Sequence, residues 1–247
     1  MQIKKYIPNS ITLLNLLCGS IAVIFAVNNH FVTASLFVFL GIFFDFFDGL
    51  LARKFNVQSE LGLQLDSLAD MVTSGLVPGI ILYKLLALAS DSPVLTGAVE
   101  WSETMHWSGF KMTWLPIIGL FVTLASAYRL AKFNLDEDQQ TYFKGLPTPA
   151  NTLLIMSLPL ILEFQNNDTI NQIILNQWFL IALTFLSCYL LNSNIKLFAL
   201  KFKDYSFKNN AMRYVFIILS VVLLIVLHFA AIPLIILTYI ILSLISK

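Results

Sequence analysis

Eight apolar segments of about the length that crosses a lipid bilayer constrain the fold of this 247-residue chain more than any other feature. A helix needs about 20 apolar residues to cross the hydrocarbon core, and the fifth and eighth segments are short by that measure. Only 12% of the residues are charged, about half the share of a soluble domain. The sequence therefore predicts an all-α fold, a polytopic transmembrane helix bundle of about eight spans, built as a single membrane-embedded domain over residues 1–247. The segments are 11–28, 33–52, 67–89, 114–133, 148–164, 177–192, 214–230 and 232–246.

Basic residues mark alternate connections between these segments, which predicts the orientation of the chain. Cytoplasmic loops carry an excess of lysine and arginine. One set of connections holds the basic residues, whereas the opposite set holds acids, with Lys111 as the main exception. We therefore expect both termini in the cytoplasm and localisation in the cell inner membrane as a multi-pass protein. The basic connections contain Lys4 and Lys5, Arg53 and Lys54, Arg129, Lys132 and Lys144, and the 196–213 run; the acids are Asp91, Glu100, Glu103 and Asp168.

The formal net charge of +1 predicts no nucleic-acid partner, because no bulk positive field surrounds the chain. The basic run at 196–213 has two interpretations. It contacts anionic membrane lipids at the inner leaflet, or it only signals topology.

Four aspartates lie within 26 residues of this apolar chain, and their spacing reads D-x2-D-G-x2-A-R-x8-G-x3-D-x3-D from Asp45 to Asp70. Ionised carboxylates at membrane depth are costly unless paired, so they indicate function. On a helix, Asp45 and Asp48 share one face, and Asp66 and Asp70 share one face of the next helix. If these two helices pack antiparallel, all four carboxylates face one cavity. The active site would then lie at the cytoplasmic ends of spans two and three.

The acidic cluster predicts two divalent metal ions. Arg53 alone cannot neutralise four carboxylates, and oxygen-only ligands suit hard cations, here Mg2+ or Mn2+. Two such ions can clamp a phosphoryl group and activate an attacking oxygen. Structural polar contacts between helices, or an ion pathway through a transporter, are the alternatives. Neither explains the glycines or the Ala-Arg pair of the motif.

The 45–70 signature resembles that of the CDP-alcohol phosphotransferases, with every signature position filled. The resemblance implies an integral membrane enzyme that moves a phosphatidyl or similar group from a CDP-linked donor to an alcohol and releases CMP. It also implies a homodimer. On matching positions, Asp45, Asp48, Asp66 and Asp70 would bind the metals, and Asp70 would also act as the general base.

A second block, residues 129–150, resembles the serine-using branch of that family, the membrane-integral phosphatidylserine synthases. It reads Arg-Leu-Ala-Lys-Phe-Asn from Arg129 and Phe-Lys-Gly-Leu-Pro-Thr-Pro-Ala from Phe143. The resemblance implies CDP-diacylglycerol and L-serine as substrates. Glycerol phosphate, inositol phosphate or choline remain as other acceptor alcohols. The C-terminal helices, 177–246, match only as generic membrane helices.

The remaining motif residues are assigned to the donor or the acceptor. Gly49 and Ala52 leave room for the nucleotide, and Arg53 offers a forked donor to a phosphate. Gly62, Asn9 and Thr12 join this nucleotide and diphosphate group, although Asn9 and Thr12 could equally cap and pack the first helix. Four residues are predicted to hold the serine carboxylate or a phosphate, with positive-inside signalling as the alternative: Arg129, Lys132, Asn134 and Lys144.

Overall fold

Helices form almost all of the chain that the structure, a computed structural model, describes: residues 3–90, 114–135, 142–165, 167–198 and 207–245. The predicted all-α bundle is therefore confirmed. The α-helices are α1 (Ile3–Val27), α2 (Phe31–Lys54), α3 (Glu60–Asp70), α4 (Val77–Ala89), α5 (Phe121–Leu135), α6 (Thr148–Phe164), α7 (Asp168–Ile174), α8 (Gln177–Asn192), α9 (Phe207–Leu227) and α10 (Ala231–Ile245). A π-helix (Met71–Leu76), 3-10 helices (Leu115–Leu120 and His228–Ala230) and strands β1 (Tyr142–Lys144) and β2 (Lys196–Phe198) complete the elements.

Five helical stretches in the described ranges are long and apolar enough to cross a membrane, and a sixth is the pair α7 and α8, bent by 58°. All eight predicted segments coincide with helices, but the count by length differs for two reasons. Helix α6 is shorter than a usual span, and the last two segments form one continuous stretch, Asn210–Ile245. A left-handed residue, His228 at φ 47°, separates α9 from α10 within that stretch. Asp91, Glu100, Glu103, Lys111, Lys201 and Lys203 lie outside the described residues.

A helical hairpin, α2 and α3, positions the acidic motif. Residues 55–59 join the two helices, and the Ser59 side chain accepts a hydrogen bond of 3.1 Å from the Gly62 backbone N–H. A serine at this position satisfies one of the N–H groups that a helix start leaves without a partner. Helix α1 packs along both members of the hairpin, so its polar side chains reach the acids.

The third span, Glu60–Ala89, is the central helix of the bundle and changes geometry within its length. It runs as α3, the π-helix and α4, and Pro78 lies in the first turn of α4. Helix α4 is almost entirely buried and contributes much of the main core, including Ile81, Leu82 and Leu85. By contrast, only a small share of the α9–α10 stretch is buried inside the bundle.

A short antiparallel pairing of β1 with β2 brings the 142–147 segment to the end of α8. Gly145 has φ +74°, a left-handed conformation that favours glycine. Its N–H donates to Ile195 O at 2.9 Å, and the N–H of Leu146 donates to Leu190 O at 2.8 Å. These bonds hold the turn after β1 against the C-terminal end of α8.

Candidate active site

The four aspartates of the signature converge at the α2–α3 hairpin. Carboxylate oxygens of Asp45, Asp48 and Asp66 all lie within 4.8 Å of one another. Asp70 extends this acidic cluster, since its carboxylate is within hydrogen-bonding reach of Asp45. Asp48 is buried, with 4% of its surface exposed, while the other three are half-buried. The antiparallel packing of the two helices thus concentrates four acids at one place.

Helix α1 supplies neutral hydrogen-bond donors to two of these acids. The Thr12 hydroxyl donates to Asp48 Oδ2, and Asn15 Nδ2 donates to Asp70 Oδ1 at 3.3 Å. Asn15 is itself anchored, because the Thr73 hydroxyl donates to its backbone carbonyl at 3.2 Å. The Oδ1 atom of Asn15 is buried and has no hydrogen-bond partner among the residues that the structure describes. Asp70 therefore differs from the other three acids: it lies beside the tight triad and receives an amide donor.

A cavity of about 170 Å³ opens beside the acidic cluster, between α1 and the hairpin. Its walls combine the acids Asp48 and Asp66 with small and polar residues, and the connection 57–59 closes one side. Five of the six residues predicted to contact the nucleotide or diphosphate line it: Asn9, Thr12, Gly49, Ala52 and Gly62.

Arg53, the sixth predicted residue, lies next to the cavity rather than in its wall. It is exposed, and its guanidinium nitrogens lie 3.9 Å from where a Gly49 Cβ would stand. The guanidinium also interacts electrostatically with Asp48. Arg53 therefore places a positive charge beside a cavity whose walls carry acids.

A second, smaller pocket lies between α5, the turn after β1 and the end of α8, and we call it the basic pocket. It contains three of the four residues predicted to hold serine or a phosphate, and its volume is about 20 Å³. Arg129 is buried, and it interacts electrostatically with Asp70 of the acidic cluster. The basic pocket is lined by Arg129, Lys132, Phe133, Lys144, Leu191, Asn192 and Ser193.

Asn134, the fourth predicted residue, does not line the basic pocket. Its Nδ2 atom lies 2.9 Å from the Ser67 hydroxyl. Ser67 is on α3, between Asp66 and Asp70, so this pair fastens α5 to the helix that carries two of the acids. The structure thus places the Asn134 side chain against α3, and not in the lining of the basic pocket.

The donor set of the acidic cluster fits divalent metal ions. Its ligand atoms are all carboxylate oxygens, the atoms that Mg2+ and Mn2+ prefer, and several oxygens lie close enough to share an ion. Four acids at this spacing also repel one another without a cation.

Asn15, Asn192 and Ser193 are site residues that the sequence prediction missed. A signal existed for Asn15, because Asn9, Thr12 and Asn15 recur every three residues on the otherwise apolar α1. For Asn192 and Ser193 there was none, since they come from a generic apolar segment. Their role depends on the pairing of β1 with β2, which brings distant residues together.

Fold and site together define a polytopic helical membrane protein with a cluster of carboxylates that could hold a metal ion. The family model described as CDP-alcohol phosphatidyltransferase matches residues 5–190. Because that match covers well over half of the chain, the protein belongs to this family.

Several curated relatives are named CDP-diacylglycerol–serine O-phosphatidyltransferase. The protein of that name from Bacillus subtilis is 35% identical over 149 residues, which are 59% of this chain and 70% of the relative. The one from Saccharomyces cerevisiae is 34% identical over 139 residues, 52% of this chain and 42% of the relative. The one from Methanocaldococcus jannaschii is 29% identical over 175 residues, 70% of this chain and 69% of the relative. The chain therefore spans less than half the length of the yeast relative.

Proposed function

We propose that this protein transfers the phosphatidyl group of CDP-diacylglycerol to the hydroxyl of L-serine, giving phosphatidylserine and CMP. The observation that carries the proposal is the acidic cluster beside a cavity, in a member of the CDP-alcohol phosphatidyltransferase family. The acceptor rests on the relatives, whose names specify serine.

The reaction exchanges one phosphorus–oxygen bond for another. The serine hydroxyl oxygen bonds to the phosphatidyl phosphorus, and the bond from that phosphorus to the bridging oxygen of CMP breaks. The hydroxyl proton passes to a carboxylate, because an alcohol is a weak nucleophile until a positioned base removes its proton. Two divalent ions, Mg2+ or Mn2+, would supply charge neutralisation for the diphosphate and for the departing CMP.

Among the four acids, Asp70 is best placed to act as the base. Asp45, Asp48 and Asp66 form the triad with mutually close oxygens and are the proposed metal ligands. The Asp70 carboxylate is oriented by Asn15 from α1. A carboxylate held by a neutral amide, outside the tight triad, keeps an oxygen available for a proton.

We assign the nucleotide-linked donor to the cavity and serine to the basic pocket. Gly49 and Ala52 give the cavity a wall without bulky side chains, which suits a flat cytidine, and Arg53 at its mouth suits a diphosphate. Arg129, Lys132 and Lys144 offer positive charge to the serine carboxylate, and Arg129 connects this pocket to Asp70. For Asn134 we propose a positioning role through Ser67.

The multi-pass character follows from the apolar helices, and two finer features are proposals. We propose the inner membrane as the location with the acidic cluster towards the cytoplasm, since Arg53 and Lys54 end α2 on that side. A homodimer is the assembly that the family resemblance implies.

The test is release of CMP by the purified protein from CDP-diacylglycerol and labelled L-serine. We expect release that needs Mg2+ or Mn2+, disappears with chelator and returns when either ion is restored. Asp66→Asn should raise the metal concentration required and lower turnover, because a metal ligand sets both.

Parallel assays with glycerol phosphate, inositol phosphate and choline address the other acceptors. Faster transfer to one of these alcohols than to serine would identify that alcohol, and not serine, as the acceptor. Serine transfer that survives exhaustive chelation would remove the metal model. Metal-independent ion flux without CMP release would favour a transporter instead.

A further inference from the structure

Asn192 lines the basic pocket and carries a hydrogen-bond acceptor, its amide oxygen, which an anion bound by the pocket's cations would not need. Asn192, the last residue of α8, donates through Nδ2 to Ala125 O at 3.1 Å and to Cys188 O at 3.3 Å. Two carbonyl partners fix which side of the amide is nitrogen, since a carbonyl needs a donor. Its Oδ1 atom is buried and accepts no hydrogen bond from the described residues. A buried acceptor without a donor is costly to the folded protein, so a ligand donor would find a prepared partner.

Arg129 presents the complementary unsatisfied group in the same pocket. It is 8% exposed, and its Nε atom is buried without a hydrogen-bond partner in the described part of the chain. Lys132 adds a second positive charge. One small pocket thus combines cationic donors with one neutral acceptor, and its volume of about 20 Å³ is too small for a nucleotide.

Phosphate and zwitterionic ligands use such a pocket differently. A phosphate diester or a plain carboxylate has only acceptor oxygens, so the cations would bind it but it gives nothing to Asn192 Oδ1. An ammonium group carries three donors and no acceptor. A zwitterion with an anionic end and an ammonium end therefore uses both sets of groups.

We propose that the basic pocket recognises the zwitterion of an α-amino acid, with Arg129 and Lys132 on the carboxylate and Asn192 Oδ1 on the ammonium. This inference rests on the proposed function and makes Asn192 a specificity-determining residue for the acceptor. The electrostatic link from Arg129 to Asp70 places the acceptor's carboxylate on the side of the proposed base. The hydroxyl of the same small molecule then extends towards the acidic cluster.

Three acceptors that differ by one charged group test the assignment. L-serine carries both groups, 3-hydroxypropionate lacks the ammonium, and ethanolamine lacks the carboxylate. The measurement is kcat/KM for each acceptor, from CMP release by the full-length protein with CDP-diacylglycerol and Mg2+ or Mn2+. Ratios of kcat/KM within one preparation do not depend on how much of it is folded.

The expected results separate the two ends of the zwitterion. Asn192→Leu should lower the preference for serine over 3-hydroxypropionate by about ten- to a hundredfold, the effect of a lost hydrogen bond to a charged group. It should leave the preference for serine over ethanolamine unchanged. Lys132→Met should lower the preference for serine over ethanolamine and leave the preference for serine over 3-hydroxypropionate unchanged. Asn192→Gln, which keeps the amide but displaces its oxygen, should fall between wild type and Asn192→Leu.

A matched control comes from the same helix. Thr184 is buried on α8, and its hydroxyl donates only to Leu180 O at 2.8 Å among the described contacts, so Thr184→Val should change neither preference.

Three outcomes would overturn the inference. If the wild-type protein uses 3-hydroxypropionate as efficiently as serine, the basic pocket has no ammonium site. An unchanged preference in Asn192→Leu places the ammonium elsewhere. If Asn192→Leu raises the KM for CDP-diacylglycerol and leaves both acceptor preferences unchanged, the basic pocket binds the donor. If wild type releases no CMP with serine but does so with another alcohol, the proposed function itself is wrong.

Discussion

At the scale of single residues, Gly49 shows most directly how the site makes room for a ligand. A Cβ added there would meet only the Arg53 guanidinium, at 3.9 Å, and otherwise open space. That space is the cavity beside Asp48. The glycine is therefore not required by helix packing, and its lack of a side chain serves the cavity.

Gly49→Leu should abolish binding of CDP-diacylglycerol and leave the protein folded. A leucine would fill the cavity wall, while leucine is also the better helix former. Donor binding is measured by equilibrium titration, and folding by the thermal unfolding midpoint in detergent. The matched variant Gly49→Ala, which adds one methyl group, should weaken binding less. Unchanged donor affinity in a folded Gly49→Leu protein would place the cytidine elsewhere.

How much of the site the sequence could predict depended on whether its residues are neighbours along the chain. The four aspartates lie on two consecutive helices, so helical periodicity alone predicted that Asp45 and Asp66 could meet. Asn134 was grouped with the cations by proximity in sequence, yet it pairs with Ser67. Which side of α5 faces which helix is decided by packing between distant segments, and periodicity carries no information on that.

At the scale of elements, the contact between α4 and α5 is among the closest in the bundle. Helices in membranes approach most closely at small residues. A Cβ built at Gly79 would lie 2.1 Å from the Thr123 hydroxyl oxygen. That hydroxyl donates to Gly75 O at 3.1 Å, so the contact also satisfies a carbonyl near the π-helix.

Gly79→Ala should destabilise the protein by about 1–3 kcal/mol, the usual effect of overpacking a tight contact. The measurement is the free energy of unfolding in detergent. Thr123→Ala removes the oxygen that a new methyl group would meet. The double variant should therefore be more stable than the sum of the two single changes implies. Strictly additive effects would show that the two helices do not make this contact.

The sequence predicted the existence of the helices better than their geometry. Each apolar segment became a helix, because a bilayer leaves few other ways to satisfy backbone groups. The π-helix at Met71–Leu76 and the bend between α7 and α8 had no periodic signal. Both depart from the regular α-helix, and the apolar periodicity of a membrane segment does not encode such departures.

At the scale of the whole molecule, the chain is asymmetric across the membrane. The connection between α1 and α2 lies at one end of the bundle. The α2–α3 connection and the acidic cluster lie towards the other end. The basic residues Arg53 and Lys54 end α2 at the latter side.

Cysteine labelling should reveal this orientation. Asn28 and Glu60 are exposed residues in or next to the two connections. Glu60→Cys should react with a membrane-impermeant maleimide in inside-out vesicles and not in intact cells, because basic connections face the cytoplasm. Asn28→Cys should show the opposite pattern. Wild type measures the background from Cys18, which is buried, and Cys188, which is half-buried. The reverse pattern would place the acidic cluster on the outer face.

The π-helix sets the rotation of α3 relative to α4 within one continuous span. Asp66 and Asp70 precede it, and the surface that packs on α5 runs from Gly75, within the π-helix, to Gly79 beyond it. Each residue of an α-helix turns the following side chains by about 100°. Deleting one residue between Met71 and Leu76 would therefore let the span continue as a regular α-helix. It would also rotate Asp66 and Asp70 relative to the face that packs on α5. The length of this segment fixes the direction in which the acids point, although no residue within it has to touch a substrate.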